Sequence, residues 1–195
     1  MNFIAHRVNK STELSDVPER YGVEIDLRDY GNRIVLEHDP FTDGEDFEEY
    51  LKQYRHGTMI LNIKSERIEH RVLELIKKYG ISDYFFLDSS FPMIHLLVNQ
   101  GEHKIAVRFS EYEGLDTILA MKGKVQWVWV DCFKKLPITT ENYRLLKDAG
   151  YKLCLVSPEL QGRPDDILVY KEYLKQNCID FDAICTKLHN ISKWT

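Results

Sequence analysis

The sequence lacks long apolar segments, a surplus of basic residues and the features of a signal peptide. Its longest apolar stretches, such as 84–87 and 127–130, are far too short to span a bilayer. The formal net charge of −5 and the pI of about 5.8 argue against a general nucleic-acid-binding protein. The first residues contain neither the basic region nor the long apolar region of a secretory signal. We therefore expect a cytoplasmic protein with no membrane span and no nucleic-acid partner.

Cysteine is also scarce, and the four cysteines are widely spaced. No CxxC pair is present that would favour a zinc site or a redox motif. Cys132, Cys154 and Cys185 lie in or beside apolar segments, where a buried and reduced thiol is the usual state. The sequence therefore predicts reduced structural cysteines rather than disulfide bonds.

Short apolar segments alternate with amphipathic segments along the whole chain of 195 residues, and no repeat or linker interrupts them. The clearest predicted helix covers 66–79, where Ile68, Val72 and Ile76 form one apolar stripe that ends before Gly80. Eight strands are predicted, at 2–6, 22–27, 58–63, 83–87, 104–109, 126–130, 151–156 and 181–185. A hairpin-like extension at 33–37 follows the second of these strands.

This alternation predicts an α/β fold with parallel strands. Eight strand–helix units favour a compact (β/α)8 TIM-like barrel that forms one domain over residues 1–195. A doubly wound open sheet is the main alternative. It is less favoured because no glycine-rich phosphate-binding loop follows the first strand.

Most predicted strands end in a polar or charged side chain. The set comprises His6, Arg7, Glu24, Asp26, Asn62, Lys64, Asp88, Arg108, Asp131, Ser157 and Thr186. In a parallel barrel the carboxyl ends of all strands meet at one mouth, where functional groups gather. We therefore expect these side chains to converge on one site.

Four segments in the first third of the chain form a recognisable pattern. They are Ile4–Arg7, Gly22–Leu27, Ile34–Asp39 and Leu61–Lys64. Their order and spacing resemble the glycerophosphodiester phosphodiesterase family, whose members are TIM barrels. The remainder of the chain fits this family only in the rhythm of its strands.

The resemblance implies a role for each matching residue. These roles are general acid–base catalysis for His6 and His38, phosphate binding for Arg7 and Lys64, and divalent-cation binding for Glu24 and Asp26. Arg108, at the end of another predicted strand, is a further candidate for phosphate binding. Hard carboxylate oxygens favour Mg²⁺ or Ca²⁺ over zinc. The implied activity is metal-assisted hydrolysis of a glycerol-phosphate-type or related alcohol phosphodiester, often by way of a cyclic phosphate intermediate.

The chain departs from the family pattern in three ways, one of which is Lys187 at a position of the closing strand where an acidic residue is common. Asn62 stands where the family usually has a third acidic metal ligand, and an amide oxygen ligates a cation without contributing charge. We therefore expect Asn62 to be a weak metal ligand. The usual insertion after the second strand is also missing, since only residues 40–45 separate His38 from the next predicted helix. A less enclosed mouth would admit a bulky or polymeric substrate, and both small diesters and precursors of surface polymers stay open.

Three alternatives stay open from the residues alone. Glu24 and Asp26 are also able to form an ordinary ion network with Arg7 and Arg28. A phosphate-binding protein without turnover would keep the same cations. A metal-independent lyase, similar to phospholipase C, would use Arg28 or Lys64 in place of the metal.

Overall fold

The computed structural model describes residues 1–195, and the chain forms two compact units of mixed α/β structure. The N-terminal unit is Ala5–Gly101. The C-terminal unit is Glu102–Thr195 together with Met1–Ile4. Strand β1 (Asn2–Ala5) therefore contributes residues to both units.

The N-terminal unit contains three neighbouring parallel strands. Its elements are α1 (Ser11–Leu14), β2 (Gly22–Tyr30), β3 (Arg33–Leu36), β4 (Glu45–Asp46), α2 (Phe47–Gln53), β5 (Met59–Ile63), α3 (Glu69–Lys78), β6 (Tyr84–Leu87) and α4 (Phe91–Asn99). Strand β5 lies between β2 and β6 and is parallel to both. All its residues are buried, as expected for a strand whose two faces are covered. Helix α3 buries Val72 and Ile76 on one stripe, as its periodicity predicts.

Two strands of this unit run antiparallel to their neighbours. The turn after Tyr30 reverses the chain, so that Tyr30 pairs with Arg33 of β3. Gly31 adopts a φ of 60° in this turn, which glycine tolerates best. Strand β4 then pairs antiparallel with β3. Gly44 precedes β4, and a Cβ atom there would lie 2.4 Å from the carbonyl oxygen of Leu36.

The C-terminal unit contains four parallel strands in the order β7, β8, β9 and β10. Its elements are β7 (Ala106–Phe109), α5 (Leu115–Ala120), β8 (Trp127–Val130), α6 (Thr140–Asp148), β9 (Lys152–Val156), α7 (Asp166–Gln176), β10 (Ala183–Thr186) and α8 (Ile191–Trp194), with short 3₁₀ helices at Pro158–Gln161 and Leu188–Asn190. Helix α6 begins with a capping box in which Thr139 and Asn142 exchange hydrogen bonds. Trp127 and Trp129 are both buried and belong to the core.

The prediction of a closed barrel of parallel strands is wrong for this structure. The hairpin introduces antiparallel strands, because its short turn reverses the chain after β2. Within the N-terminal unit β6 pairs with β5, and within the C-terminal unit β7 pairs with β8. The organisation of the chain as one domain stays a prediction.

No helix in the structure is both long enough and apolar enough to cross a membrane. All four cysteines are free thiols. Cys132, Cys154 and Cys185 are buried, as the apolar segments around them predict. Their role is therefore packing.

Candidate functional site

The segment after β1 is bound to β2 through two carboxylate residues. Glu24 and Asp26 lie two residues apart on β2 and share one face of the strand. The backbone N–H of Arg7 donates to Glu24 Oε2 at 2.7 Å, and Arg7 adopts an unusual φ of 54°. The amide of Asn9 donates to Asp26 Oδ2 at 2.9 Å, and its oxygen accepts from the backbone N–H of Asp26 at the same distance. Both carboxylates therefore fix the path of residues 7–9.

These two carboxylates are buried beside an amide from the next strand. Glu24 and Asp26 are 1% and 0% exposed. Asn62 of β5 pairs in register with Asp26, and its side-chain N–H donates to Glu24 Oε1 at 2.7 Å. Burial and the charge of Asp26 raise the pKa of Glu24 to about 7, although the hydrogen bonds from Asn62 and Arg7 act in the opposite direction. Burial thus favours the protonated form of Glu24 more than for an exposed glutamate.

Two cationic side chains flank Asp26. Arg7 Nε lies 3.3 Å from Asp26 Oδ2. Lys64 follows β5, where its backbone N–H donates to Leu27 at 2.8 Å, and its Nζ lies 3.6 Å from Asp26 Oδ1. Lys64 Nζ also lies 3.5 Å from Asp88 Oδ2 at the end of β6. The two predicted phosphate-binding cations of this unit therefore share one buried carboxylate.

Both predicted catalytic histidines lie beside a carboxylate. His6 Nε2 is 3.8 Å from Glu24 Oε2, and the side chain is 19% exposed. His38 Nδ1 is 2.7 Å from Asp39 Oδ1, and its side chain is 40% exposed. Arg28 Nη2 donates to the carbonyl oxygen of His38 at 3.0 Å. A hydrogen bond from His38 and the charges of Arg7 and Arg28 lower the pKa of Asp39, despite an opposing effect of desolvation.

The structure brings six of the residues predicted from the sequence into one group of contacts, namely His6, Arg7, Glu24, Asp26, Asn62 and Lys64. His38 lies in the same N-terminal unit and contacts Asp39 and Arg28, and its membership of the candidate site stays a prediction. Arg108 belongs to the C-terminal unit, where its Nη1 donates to Asp131 Oδ2 at 2.9 Å. Its assignment to phosphate binding stays a prediction.

In the C-terminal unit the polar strand ends bind one another. Asp131 accepts hydrogen bonds from Arg108 and from the side chain of Gln161. Glu159 accepts from the hydroxyls of Ser157 and Thr186. These contacts link successive strand ends within the unit, and the sequence pattern alone did not predict them.

Glu111 makes a further set of contacts in this unit, and its contribution to stability is expected to depend on pH. Its carboxylate accepts hydrogen bonds from the backbone N–H groups of Phe133, Lys134 and Lys135. Burial alone would raise the pKa of Glu111, but these bonds and one from its own amide lower it below the usual 4.5. A carboxylate with a lowered pKa stabilises the fold at neutral pH and loses this effect as the pH falls through that range.

We therefore expect Glu111→Ala to lower the free energy of unfolding by about 1–2 kcal/mol at pH 7. The difference from the wild type should disappear well below pH 4.5, because there the wild-type carboxyl is protonated as well. Urea unfolding at both pH values measures this change. An equal loss at the two pH values would contradict the assigned cause.

Asn9 and Asp39 had no role assigned from the sequence, although both bind residues of the candidate site. Asn9 lies three residues after His6, and nothing in its local pattern distinguishes it from an ordinary loop asparagine. Asp39 belongs to the segment 34–39 that carries the family resemblance. Its position directly after His38 was the feature of the sequence that could have identified it as the partner of His38.

The oxygen atoms around Asp26 fit a hard cation in type. Asp26 Oδ1 and Asn62 Oδ1 are buried and have no hydrogen-bond partner. A buried polar atom left unpaired costs about 1–3 kcal/mol, which cation binding would offset. However, Asn62 contributes no charge, and no group of three or more His, Cys, Asp or Glu residues gathers for a metal. Lys64 already lies 3.6 Å from Asp26 Oδ1. The donor atoms are of the kind that Mg²⁺ or Ca²⁺ prefers and zinc does not, and binding of a cation here stays a prediction.

Neither a protein-family model nor a curated protein matches this chain. Two solved structures from Agrobacterium tumefaciens strain C58 are similar to it. The first is a glycerophosphodiester phosphodiesterase with 13% identity and a TM-score of 0.65, over 95% of this chain and 96% of the other. The second is provisionally named a glycerophosphoryl diester phosphodiesterase and has 12% identity and a TM-score of 0.67, over 95% of this chain and 93% of the other.

At this level of identity the similarity concerns the fold. This similarity in fold agrees with the resemblance that the four N-terminal segments show to the same family. The chain is therefore similar in fold to the glycerophosphodiester phosphodiesterases, although its antiparallel strands β3 and β4 depart from the all-parallel barrel expected from the sequence.

Proposed function

We propose that the protein is a metal-assisted phosphodiesterase that hydrolyses a glycerol-phosphate-type or related alcohol phosphodiester. The substrate would be a small molecule or a precursor of a surface polymer, and we expect it to be encountered in the cytoplasm. The observation that carries this proposal is the arrangement around Asp26. Two cations, Arg7 and Lys64, flank one buried carboxylate, and two histidines lie in the same unit.

This arrangement suits the chemistry of an anionic diester. Charge develops on the phosphoryl oxygens in the transition state, and preorganised cations lower its energy. Arg7 and Lys64 would supply this charge from their positions beside Asp26. Their ion pairs with Asp26 hold both side chains near the site before substrate arrives. Arg108 is proposed as a further phosphate-binding residue. To bind phosphate, it would have to give up its ion pair with Asp131.

The two histidines would move the protons of the reaction. One accepts the proton of the attacking hydroxyl or water, and the other donates a proton to the alcohol oxygen as the P–O bond breaks. Histidine suits both tasks because it titrates near neutral pH. The contact of His38 Nδ1 with Asp39 leaves Nε2 as the nitrogen that would face substrate. His6 has Glu24 as its neighbouring carboxylate.

Glu24, Asp26 and Asn62 are the residues that would hold the cation. When bound, Mg²⁺ or Ca²⁺ supplies positive charge that stabilises the phosphoryl oxygens. The three side chains would orient this charge towards the substrate, and Asn9 would hold the Asp26 carboxylate in place through its two hydrogen bonds. Glu24 would have to release its proton, because metal ligands bind in the deprotonated form.

Two other functions have a specific observation in their favour. Asn62 in place of an acidic residue favours a phosphate-binding protein without turnover. The position of Lys64 between two carboxylates favours a metal-independent lyase, in which its ammonium group replaces the metal. Retention of both histidines supports the phosphodiesterase instead, since binding alone requires no acid–base pair.

A screen of phosphodiesters with and without Mg²⁺, Mn²⁺ and Ca²⁺ separates these functions. A metal-assisted phosphodiesterase releases the alcohol and loses activity in a chelator. A lyase keeps its activity in the chelator and accumulates a cyclic phosphate. A binding protein retains the diesters without turnover, and this result would overturn the proposed activity.

We expect the wild type to bind Mg²⁺ or Ca²⁺ with a Kd on the order of 10⁻⁴ M or weaker, because ligand charge sets affinity. Asn62→Asp adds a carboxylate and should tighten binding by about tenfold or more, equivalent to about 1.4 kcal/mol. Calorimetry with the metal alone measures this change without any assay of activity. Asn99→Asp on the exposed end of α4 is the matched control for an added charge. A preference for zinc, or an equal response in both variants, would contradict the proposed ligand set.

A further inference from the structure

Asp88 has an unusual backbone conformation beside the candidate site. It follows β6 with a φ of 61°, a region that residues other than glycine rarely adopt. Its side chain is 22% exposed, and its Oδ2 lies 3.5 Å from Lys64 Nζ. Strained residues of this kind persist where the surrounding structure imposes them, and they concentrate at functional sites. No role in the reaction described above requires Asp88.

The contact with Asp88 changes the charge balance around Lys64. The ammonium group lies between two carboxylates, 3.6 Å from Asp26 and 3.5 Å from Asp88. Arg7 shares Asp26 from the other side, with Nε at 3.3 Å. The two cations are thus matched by two carboxylates within this group of ion pairs. When a phosphate approaches, the positive charges of Arg7 and Lys64 are therefore already opposed by the carboxylates of Asp26 and Asp88.

We propose that Asp88 is a specificity-determining residue that makes the site favour a singly charged phosphodiester over a doubly charged phosphomonoester. This inference rests on the proposed function for its site and its substrate class. A phosphodiester has one negative charge, whereas a phosphomonoester carries about −1.5 to −2 at pH 7. Repulsion by Asp88 acts on each of these charges, so it penalises the monoester more. The monoester product would therefore leave the site readily.

Methyl phosphate and dimethyl phosphate are a suitable pair of probes, because they differ by one methyl group and one charge. Asp88→Asn removes the negative charge, and asparagine tolerates a positive φ. We take a roughly threefold tightening of dimethyl phosphate binding by this change as the reference. The Coulomb energy between Asp88 and a dianion is twice that between Asp88 and a monoanion. Methyl phosphate should therefore bind about tenfold more tightly in the same variant. Calorimetry measures both dissociation constants, with and without Mg²⁺.

Two further variants separate charge from structure. Asp88→Gly also removes the charge but relieves the backbone strain, so it should give the same binding change as Asp88→Asn. Asp43→Asn removes an exposed carboxylate that pairs with Arg33 in the same unit, and it should leave both constants unchanged. An unchanged ratio of the two constants in Asp88→Asn would overturn the inference, and so would different ratios in the two Asp88 variants.

The outcome for Asp88 can be told apart from the outcome for the proposed function. If the expected ratios are seen but no diester is hydrolysed, the specificity role of Asp88 holds and the proposed activity fails. If diesters are hydrolysed and Asp88→Asn leaves the ratio unchanged, the activity holds and this role fails. Failure of the wild type to bind either probe would overturn both.

Discussion

His6→Ala and His38→Ala are each expected to lower the rate of phosphodiester turnover by roughly 10²–10⁴-fold while leaving the fold intact. This is the typical contribution of a positioned side chain that transfers a proton in the transition state. Both side chains are partly exposed, so their removal leaves no large cavity in the core. The double variant should lose much less than the product of the two single losses, because the residues act as a unit.

The decisive measurement is the rate as a function of pH. An acid–base pair gives a bell-shaped profile, and each single variant should lose one limb. Glu24 complicates this assignment, since its pKa of about 7 would also produce a limb near neutral pH. A Glu24→Gln profile is therefore needed beside those of the histidine variants. A limb that disappears in Glu24→Gln but persists in His6→Ala belongs to the carboxyl group.

His70→Ala is the matched control for the loss of an imidazole. His70 lies on α3 in the same unit, where its Nε2 contacts the side chain of Gln100 at 2.8 Å on the surface. We expect its replacement to leave the rate and the pH profile unchanged. Full activity in His6→Ala, or a flat profile in the wild type, would remove the basis for assigning His6 and His38 to catalysis.

The positions of the strands and helices could largely be predicted from the sequence. Strand β5 was expected at 58–63 and is found at Met59–Ile63, and a helix was expected at 66–79, where α3 is found at Glu69–Lys78. Apolar periodicity and turn residues are local signals, so they define such elements well. By contrast, the pairing of strands at the edge of a sheet depends on contacts between residues that are far apart in sequence. The partners of β6 and β7 within their own units therefore could not be predicted from local patterns.

The candidate site was predictable to the extent that its residues belong to compact motifs. Alternation along β2 places Glu24 and Asp26 on one face, and the family resemblance connects them to Lys64. The wider expectation that all polar strand ends converge on one site stays a prediction. Asp131 and Glu159 bind other strand ends of their own unit, and this pairing depends on tertiary structure. The backbone conformation of Asp88 was likewise beyond the reach of sequence patterns.

Asp26→Asn is expected to reduce both stability and activity, because Asp26 is the centre of the candidate site. It is fully buried, accepts from Asn9, and pairs with Arg7 and Lys64. Removing one partner of a buried ion pair typically costs 3–5 kcal/mol. Arg7 and Lys64 are 43% and 18% exposed, so water compensates them in part. We expect the free energy of unfolding to fall by about 2–3 kcal/mol, at or below the lower end of that range.

The activity of Asp26→Asn should fall by roughly 10³-fold for each folded molecule, since both phosphate-binding cations lose the group that holds them. Urea unfolding gives the folded fraction, and the rate is then expressed per folded molecule. Asp29→Asn is the matched control, because Asp29 lies on the same strand with an exposed side chain. Its stability should change by no more than about 0.5 kcal/mol. A normal rate per folded molecule in Asp26→Asn would show that Asp26 contributes to stability and not to activity.

A double-mutant cycle with Lys64→Gln tests whether the ion pair itself is responsible for the loss of stability. Asp26→Asn alone leaves the ammonium group of Lys64 with one carboxylate partner fewer, and Lys64→Gln alone leaves a buried carboxylate with one cation fewer. The double variant removes both charges, so its loss of stability should be smaller than the sum of the two single losses by about 1 kcal/mol or more. Strictly additive losses would mean that Asp26 stabilises the fold through Asn9 and Arg7 rather than through Lys64.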